Sequence, residues 1–267
     1  MTLTTITLAA ALELLAAMSL AWLAQYRTGN CGWVDVAWSF GTGLAGITLA
    51  LAPLDGHTPD WRQWAVAALI AAWSLRLGLH IAARAAQGID DPRYAALRVE
   101  WAAAFQWRLA VFLLIQASVA LGLAASMALA ARNPQGGGPL DILGIAVLII
   151  GITGEGAADR TLRRFKANPA NRGRICDIGL WAWSRHPNYF FEWFGWLAYP
   201  LLAISSGWPW GWLALSGPAL MFWALRHASG VPPLEAHMAG RYGPAWAAYT
   251  ARVSIFFPRP PTREATP

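Results

Sequence analysis

Residues 174–199 have the sequence RICDIGLWAWSRHPNYFFEWFGWLAY, and the architecture we expect for the chain follows from this segment. A basic stretch leads through residues 184–189 into an aromatic run of membrane-spanning length. Pro187 suits the first turn of a helix, because its missing N–H would be unpaired there in any case. Asn188 and Glu192 are four residues apart and share a face of that helix. Glu192 falls in or near the hydrocarbon layer, where carboxylates are costly and usually functional. A ligand site and a juxtamembrane anchor both fit this pattern.

The composition excludes a soluble protein. The 267 residues are 57% hydrophobic, include 17 Trp and are only 13% charged. Runs of about 20 apolar residues, the length that crosses a bilayer, recur along the chain. We predict seven spans, at 3–25, 34–54, 64–83, 108–131, 140–158, 188–206 and 210–228. Backbone groups in lipid must pair within each segment, so the spans are expected to be helices. The sequence therefore predicts one all-α polytopic membrane domain over residues 1–259, with a disordered tail at 260–267.

The distribution of Lys and Arg predicts the orientation in the membrane. Seventeen of the 20 lie on one side of the spans, in loops 26–33, 84–108 and 159–187 and in the tail from 226. Arg62 and Arg132 lie on the other side, and Arg76 lies inside a span. The positive-inside rule places the N-terminus outside and the C-terminus in the cytoplasm. We expect an integral protein of a bacterial inner membrane. Its basic loops favour anionic headgroups or a phosphorylated cofactor over nucleic acid.

The cysteine pattern gives little support to a metal site. Cys31 and Cys176 both fall on the predicted cytoplasmic side, where reduced thiols are expected. The sequence contains no CxxC, no HExxH and no His/Cys cluster. We therefore predict no metal.

The second predicted span carries a polar pair near its cytoplasmic end. Asp35 and Trp38 are three residues apart and share a helical face. Gly41, Gly43 and Gly46 on the same span would let neighbouring helices approach closely. Asp35 is interpreted as a proton relay or as the partner of a nearby arginine.

The third predicted span presents a basic stripe. Arg76, His80 and Arg84 follow a four-residue spacing and line one helical face. A cation as deep as Arg76 faces the bundle interior and needs a partner, for which Asp35 is the candidate. His80, between two cations, is positioned to exchange protons near neutral pH. A buried histidine bonded to a backbone carbonyl is the alternative.

The loop GIDDPRYAALRVEW, residues 88–101, contains a helix start at Asp91-Pro92. It also contains an apolar stripe of Tyr94, Leu97 and Trp101. An amphipathic helix lying on the membrane surface and a lid over a site both fit this pattern.

The fifth predicted span ends in a cluster of both charge signs. Asp159, Arg163 and Lys166 are spaced i, i+4 and i+7 and share a face, and Arg172 and Arg174 follow. Phosphates require the cations, whereas a sugar hydroxyl or adenine amine requires an acceptor such as Asp159. No G-x-G-x-x-G occurs, so any nucleotide would be bound between helix ends and loops.

Several sequence blocks in order resemble a known family. They are LRLGLH, DDPRYAALR, ADRTLRRFK, GLWAWSRHPNYFFEW, SGVPPLE and AAYTARVSIFFP. They resemble the steroid 5-alpha-reductase-like membrane proteins, in an uncharacterised bacterial branch with a 3-oxo-5-alpha-steroid 4-dehydrogenase C-terminal-type domain. The resemblance covers nearly the whole chain and is strongest from residue 150 onward. It implies a seven-helix fold whose cytoplasmic half, about 140–259, binds NADPH, above a lipid-accessible pocket for an apolar enone.

The resemblance also implies roles for individual residues. The positions that match cofactor contacts of the family are Asp159, Arg163, Lys166, Asn188, Glu192, Arg226, Tyr249 and Arg252. Further cofactor contacts are predicted at Arg174, for the 2′-phosphate, and at Arg185, His186, Tyr189 and Glu235. The apolar tail that contains Glu235, Tyr249 and Arg252 is expected to fold back under the bundle.

The implied reaction is hydride transfer from NADPH to the β-carbon of an enone, with acid assistance. Negative charge develops on the carbonyl oxygen, and donors in a dry site stabilise it. Steroid reductases carry a Gln-Glu pair on the second helix and a Tyr on the third. Here Asp35 is the nearest acid and His80 falls at the Tyr position, so a steroid substrate is not implied. We predict His80, Asp35 and Arg76 as catalytic residues, and Trp38 and Gln116 as substrate contacts.

Two other functions fit parts of the pattern. RHPNY before an aromatic helix also resembles the isoprenylcysteine-type membrane methyltransferases, which bind S-adenosylmethionine. That cofactor has no phosphate, and the basic residues of 160–174 favour NADPH. A lipid-binding scaffold explains the aromatic residues and the positive loops, but not Glu192 or the stripe of Arg76 and His80.

Overall fold

The computed structural model describes residues 1–88 and 91–261, and within them the chain is all-helical with no strand. The predicted all-α class is confirmed. Most of the tail predicted to be disordered, residues 262–267, lies outside the described residues. The α-helices are α1 Leu3–Thr28, α2 Gly32–Leu51, α3 Trp61–Ala85, α4 Pro92–Trp101, α5 Phe105–Ala131, α6 Pro139–Ala167, α7 Pro187–Trp196, α8 Ala198–Ala203, α9 Ser216–Trp223, α10 Val231–Tyr242 and α11 Pro244–Arg252.

Five helical segments of the described chain are long and apolar enough to cross a membrane. They correspond to the first five predicted spans, and α5 follows α4 after a 3₁₀ turn at Ala102–Ala104. The sixth predicted span divides into α7 and α8. The seventh divides into a 3₁₀ segment at Pro209–Leu215, α9 and a π-helical segment at Ala224–Ala228. Pro200 and Pro218 lie in the first turns of α8 and α9, where a missing N–H prevents a preceding helix from continuing.

The helix starts follow from their capping residues. The Thr2 side chain accepts a hydrogen bond from the backbone N–H of Thr5 at the start of α1. Asp60 and Gln63 form a capping box at the start of α3. Asp91 accepts from the backbone N–H of Arg93 and begins α4, as predicted from Asp91-Pro92.

The chain forms two compact units. The first comprises Met1–Ala146 and Leu197–Leu220, and the second comprises Val147–Trp196 and Met221–Pro267. Helix α6 begins in the first unit and continues into the second.

Close helix packing through glycine builds the first unit around α2. A Cβ atom on Gly43 would lie 2.3 Å from the Ser74 hydroxyl, and one on Gly46 would lie 2.4 Å from the Met127 sulfur. The predicted role of the small residues on this helix is confirmed, because only glycine permits α3 and α5 to approach so closely.

A buried ion pair that was not predicted from the sequence ties together three segments of the first unit. The Arg62 side chain is 2% exposed and pairs with Asp141 at the start of α6. Its Nη2 also donates to the Gln135 carbonyl at 2.9 Å, and its Nη1 to the Leu202 carbonyl at 3.2 Å. These acceptors satisfy a guanidinium that would otherwise be costly to bury.

The second unit has an aromatic core at the start of α7. Phe190 and Trp193 pack against Phe256, with ring centroids 6.2 and 6.1 Å apart. Phe222, at the end of α9, packs on Trp193 at 5.7 Å. The segment after α11 thus folds back into the second unit, and Phe256 is only 1% exposed.

Candidate functional site

The second unit brings Asp159 and Asn188 together. Asp159, near the charged end of α6, is 6% exposed. The Asn188 side-chain amide, in the first turn of α7, donates to Asp159 Oδ1 at 3.3 Å. The two residues are 29 positions apart in the chain. Both were assigned to one cofactor site from the sequence, and they do lie side by side.

Glycines at the crossing of α6 and α7 explain this juxtaposition. A Cβ atom on Gly151 would lie 2.6 Å from the Gly195 Cα, so the two backbones are in contact there. Gly154 faces the ring of Phe191 in the same way, since a Cβ atom on this glycine would lie 2.3 Å from the nearest ring carbon. The pairs 151 with 195 and 159 with 188 show that the two helices run antiparallel along this seam. Asn188 therefore comes to lie opposite Asp159.

Glu192 lies deeper along the same face of α7. It is 7% exposed, and its Oε1 accepts a hydrogen bond from the Trp196 indole at 2.8 Å. Glu155, one turn before Asp159 on α6, is also buried, at 4% exposure. Glu155 was not predicted to belong to the site, although its four-residue spacing from Asp159 could have identified it.

The predicted phosphate contacts lie at the surface. Arg163 and Lys166 continue the face of α6 that begins with buried Asp159, and both are exposed, as is Arg174 in the following loop. One helix face therefore offers an acceptor at its buried end and cations at its exposed end. Such a face can bind an anion that also carries hydroxyl or amine groups.

Arg185 and His186 are held by a carboxylate from α10. The Arg185 Nε and Nη2 donate to the two Glu235 oxygens at 3.0 and 2.9 Å. His186 Nε2 lies 2.8 Å from Glu235 Oε1. The Arg185 Nη1 donates to the carbonyls of Thr250 and Val253 at 3.3 and 2.8 Å. Protein acceptors thus take four of the five N–H groups of Arg185. The side chain links α10 to the end of α11.

A strand-like segment after α11 completes this arrangement. Ser184 and Ser254 form an isolated parallel bridge, and the Ser184 hydroxyl donates to the Phe256 carbonyl at 2.8 Å. The Tyr249 hydroxyl donates to the Trp181 carbonyl at 2.6 Å, and burial raises the pKa of this phenol above its ordinary value. These contacts tie residues 181–186 to the last described part of the chain.

The other predicted cofactor residues of the second unit are more accessible. Tyr189 stacks on the His186 ring, with centroids 5.6 Å apart. Arg252 lies 3.6 Å from Asp177 in a partly exposed pair. Arg226 is half-buried within the π-helical segment Ala224–Ala228, and π segments are frequent at functional sites.

The first unit contains a separate polar cluster around Asp35. The Tyr94 hydroxyl donates to Asp35 Oδ1 at 3.0 Å, and Arg93 pairs with Asp35 Oδ2. Arg93 also pairs with Asp91 through its Nε at 2.8 Å. The Gln116 amide lies 3.4 Å from the Tyr94 hydroxyl. Tyr94 thus links the predicted residues Asp35 and Gln116, and Arg93 pairs with Asp35. Neither Tyr94 nor Arg93 was predicted to belong to the site.

The predicted basic stripe lies on α3. Arg76 and His80 are half-buried, and Arg84 is exposed and 3.8 Å from Asp91. Trp38, on α2, packs edge-on against Trp73 with ring centroids 6.4 Å apart. The partner predicted for Asp35 was Arg76, whereas the Asp35 carboxylate accepts hydrogen bonds from Arg93 and Tyr94 of α4.

Glu235 makes the second unit sensitive to acid. Burial alone would raise the pKa of this carboxyl, but hydrogen bonds from His186 and Arg185 lower it below its ordinary 4.5. Because the folded protein lowers this pKa, the ionised carboxylate stabilises the unit above pH 4.5. This stabilisation is lost as the pH falls through the lowered pKa.

We expect the thermal stability of the detergent-purified protein to decrease as the pH falls below about 4.5. Glu235→Gln removes this titration, so the variant should show a shallower decrease over the same interval. Circular dichroism melts at several pH values measure both slopes. Equal slopes in the two proteins would assign the acid sensitivity to other carboxyls.

The fold and the polar clusters define an all-helical integral membrane protein. A model of the family described as "Protein of unknown function (DUF1295)" matches residues 21–253, and the chain belongs to that family. Searches of curated proteins and of solved structures found no match.

Proposed function

We propose that the chain is an NADPH-dependent membrane reductase. It would reduce a C=C bond conjugated to a carbonyl group in an apolar lipid or steroid-like substrate, with its cofactor site facing the cytoplasm of a bacterial cell. One observation carries the proposal: buried Asp159 pairs with Asn188 at 3.3 Å on the helix face that continues into exposed Arg163 and Lys166.

The donor set of this face fits a phosphorylated dinucleotide. Asp159 offers carboxylate oxygens to a ribose hydroxyl or an adenine amine, and Asn188 offers an amide beside it. Arg163 and Lys166 offer charge to the phosphates, and Arg174 is assigned to the 2′-phosphate. When bound, NADPH supplies the hydride.

The contacts of the second unit refine this assignment. Because four of its N–H groups already have protein acceptors, Arg185 is assigned to positioning rather than to the phosphates. His186 is likewise held by Glu235. Both residues support the loop that leads into Asn188, so they would act on the cofactor through the start of α7.

The acid assistance is assigned to the polar residues of the first unit. Asp35 accepts hydrogen bonds from Arg93 and Tyr94, and an acceptor of this kind orients donors rather than releasing a proton. Asp35 therefore takes the positioning role, and His80 takes the donor role. General acid catalysis contributes about 10²- to 10⁴-fold to a rate.

Titration of the detergent-purified protein with two cofactors tests the proposal. NADPH is expected to bind, as seen by fluorescence energy transfer from tryptophan, and S-adenosylmethionine is expected to bind more weakly. Tighter binding of S-adenosylmethionine would favour the isoprenylcysteine-type methyltransferase. Binding of neither cofactor would favour a lipid-binding scaffold.

His80→Phe is expected to remove turnover while NADPH affinity stays within a fewfold of the wild type. The physical reason is that His80 is assigned to proton donation to the substrate, whereas NADPH binding is assigned to other side chains. NADPH oxidation in the presence of a steroid or polyprenyl enone measures turnover, and a separate titration measures affinity. Leu79→Phe is the matched control, because Leu79 is exposed on the same turn. Equal losses of turnover and affinity would assign His80 a structural role.

A further inference from the structure

We call the face of α6 that carries Asp159, Arg163 and Lys166 the cofactor face. A groove lies on the opposite side of this helix. It has a volume of about 360 Å³ and is lined by Thr161, Arg164, Phe165, Asn168, Asn171 and Ile178. The loop after α6 forms its other wall, and the Asn171 amide donates to the Phe165 carbonyl at 3.0 Å. The groove therefore belongs entirely to the second unit.

Helical geometry separates this groove from the cofactor face. At about 100° per residue, Thr161 and Arg164 point away from Asp159, Arg163 and Lys166. A ligand in the groove would not compete for the residues assigned to NADPH.

The groove combines an apolar surface with cationic groups. Phe165 is buried and Ile178 is 50% exposed, so the lining presents hydrocarbon. Arg164 is exposed at the lining, and exposed Arg160 lies one turn before it on the same side of the helix. A ligand that fits this lining has an anionic group next to an apolar one.

The same side of α6 is exposed along its apolar part. Ile149 and Ile150 are each 48% exposed and lie within about 100° of Arg160 and Arg164 around the helix. Ile150 and Arg164 are 14 residues apart, which corresponds to about 21 Å along the axis. One membrane leaflet, including its headgroups, has about this thickness. Acyl chains along the isoleucines would therefore place a headgroup at the arginines.

We propose that this groove binds the phosphate headgroup of an anionic phospholipid. The acyl chains would lie along Ile149 and Ile150, the phosphate would contact Arg160 and Arg164, and Ile178 would cover the glycerol. The inference is independent of the proposed reductase activity, because its residues and its ligand are different.

Native mass spectrometry of the full chain with phosphatidylglycerol or phosphatidylcholine of identical acyl chains tests the proposal. The wild type is expected to retain phosphatidylglycerol preferentially. A hydrogen bond to a charged group contributes about tenfold or more to an affinity, so Arg160→Ala/Arg164→Ala should reduce this preference by about tenfold or more. Arg163→Ala/Lys166→Ala is the matched control of equal charge loss, and it should keep the preference within about twofold.

Two further variants keep the test informative if the double variant folds poorly. Arg164→Lys conserves the charge and should keep most of the preference. Ile178→Asp adds a carboxylate at a half-exposed position and should lower the preference for phosphatidylglycerol. Equal loss in the Arg163/Lys166 control would show general charge attraction and overturn the groove assignment. Displacement of phosphatidylglycerol by an equal concentration of inorganic phosphate would overturn the lipid assignment in favour of a soluble ligand.

Discussion

Asp159→Ala should reduce NADPH affinity by about 10- to 150-fold, because a hydrogen bond to a charged group contributes about 1.5–3 kcal/mol. In the wild type this carboxylate is 6% exposed and is the acceptor at the buried end of the cofactor face. Its loss also leaves the Asn188 amide without the acceptor that orients it. Tryptophan-to-NADPH energy transfer in detergent measures the affinity.

Two variants isolate the role of the carboxylate at position 159. Asp159→Asn keeps the shape of the side chain and removes the charge, so it should lower the affinity with less disturbance of packing. Glu100→Ala removes an exposed carboxylate from α4 in the first unit and should leave the affinity unchanged. A folded Asp159→Ala protein with wild-type affinity for NADPH would exclude Asp159 from the cofactor site.

Glu235→Ala should destabilise the second unit by about 2–4 kcal/mol. Breaking a buried ion pair costs about 3–5 kcal/mol, and the Glu235 side chain is 20% exposed, which reduces the penalty. The variant leaves the Arg185 guanidinium, which is 10% exposed, without its carboxylate partner. Thermal or denaturant unfolding of the purified protein measures the loss.

A double-mutant cycle distinguishes the ion pair from a general loss of packing. Arg185→Ala alone should cost about as much as Glu235→Ala, and the double variant should cost much less than their sum. Arg252→Ala is the control, because its pair with Asp177 is exposed and contributes about 0–1 kcal/mol. Strict additivity of the two single changes would remove the energetic role assigned to the pair.

Hydropathy located the long helices because crossing a bilayer imposes a length on every span. The predicted run 140–158 lies within α6, and the predicted run 108–131 lies within α5. The last two predicted spans are also apolar but contain Pro200 and Pro218, and both are divided in the structure. Hydropathy records the apolar length of a segment, whereas proline determines whether one helix can continue through it.

Spacing along a helix identified residues that share a face, but it could not identify their partners on other helices. Asp159 and Asn188 were assigned to one site because the family resemblance supplied the link between α6 and α7. For Asp35 the expected partner was Arg76, yet Tyr94 and Arg93 contact it from α4. Whether Tyr94 and Arg93 reach Asp35 depends on how the ten-residue helix α4 packs. No local pattern in the sequence specifies this packing.

The bridge between Ser184 and Ser254 has a consequence for protein synthesis. Residue 254 leaves the ribosome roughly 70 residues after residue 184, a delay of about 4–14 s at usual elongation rates. During that interval Arg185 lacks the Val253 carbonyl, and the aromatic core lacks Phe256. A nascent chain stalled in this window would present these groups to chaperones and proteases, so slow codons between the two positions would lower the yield of mature protein.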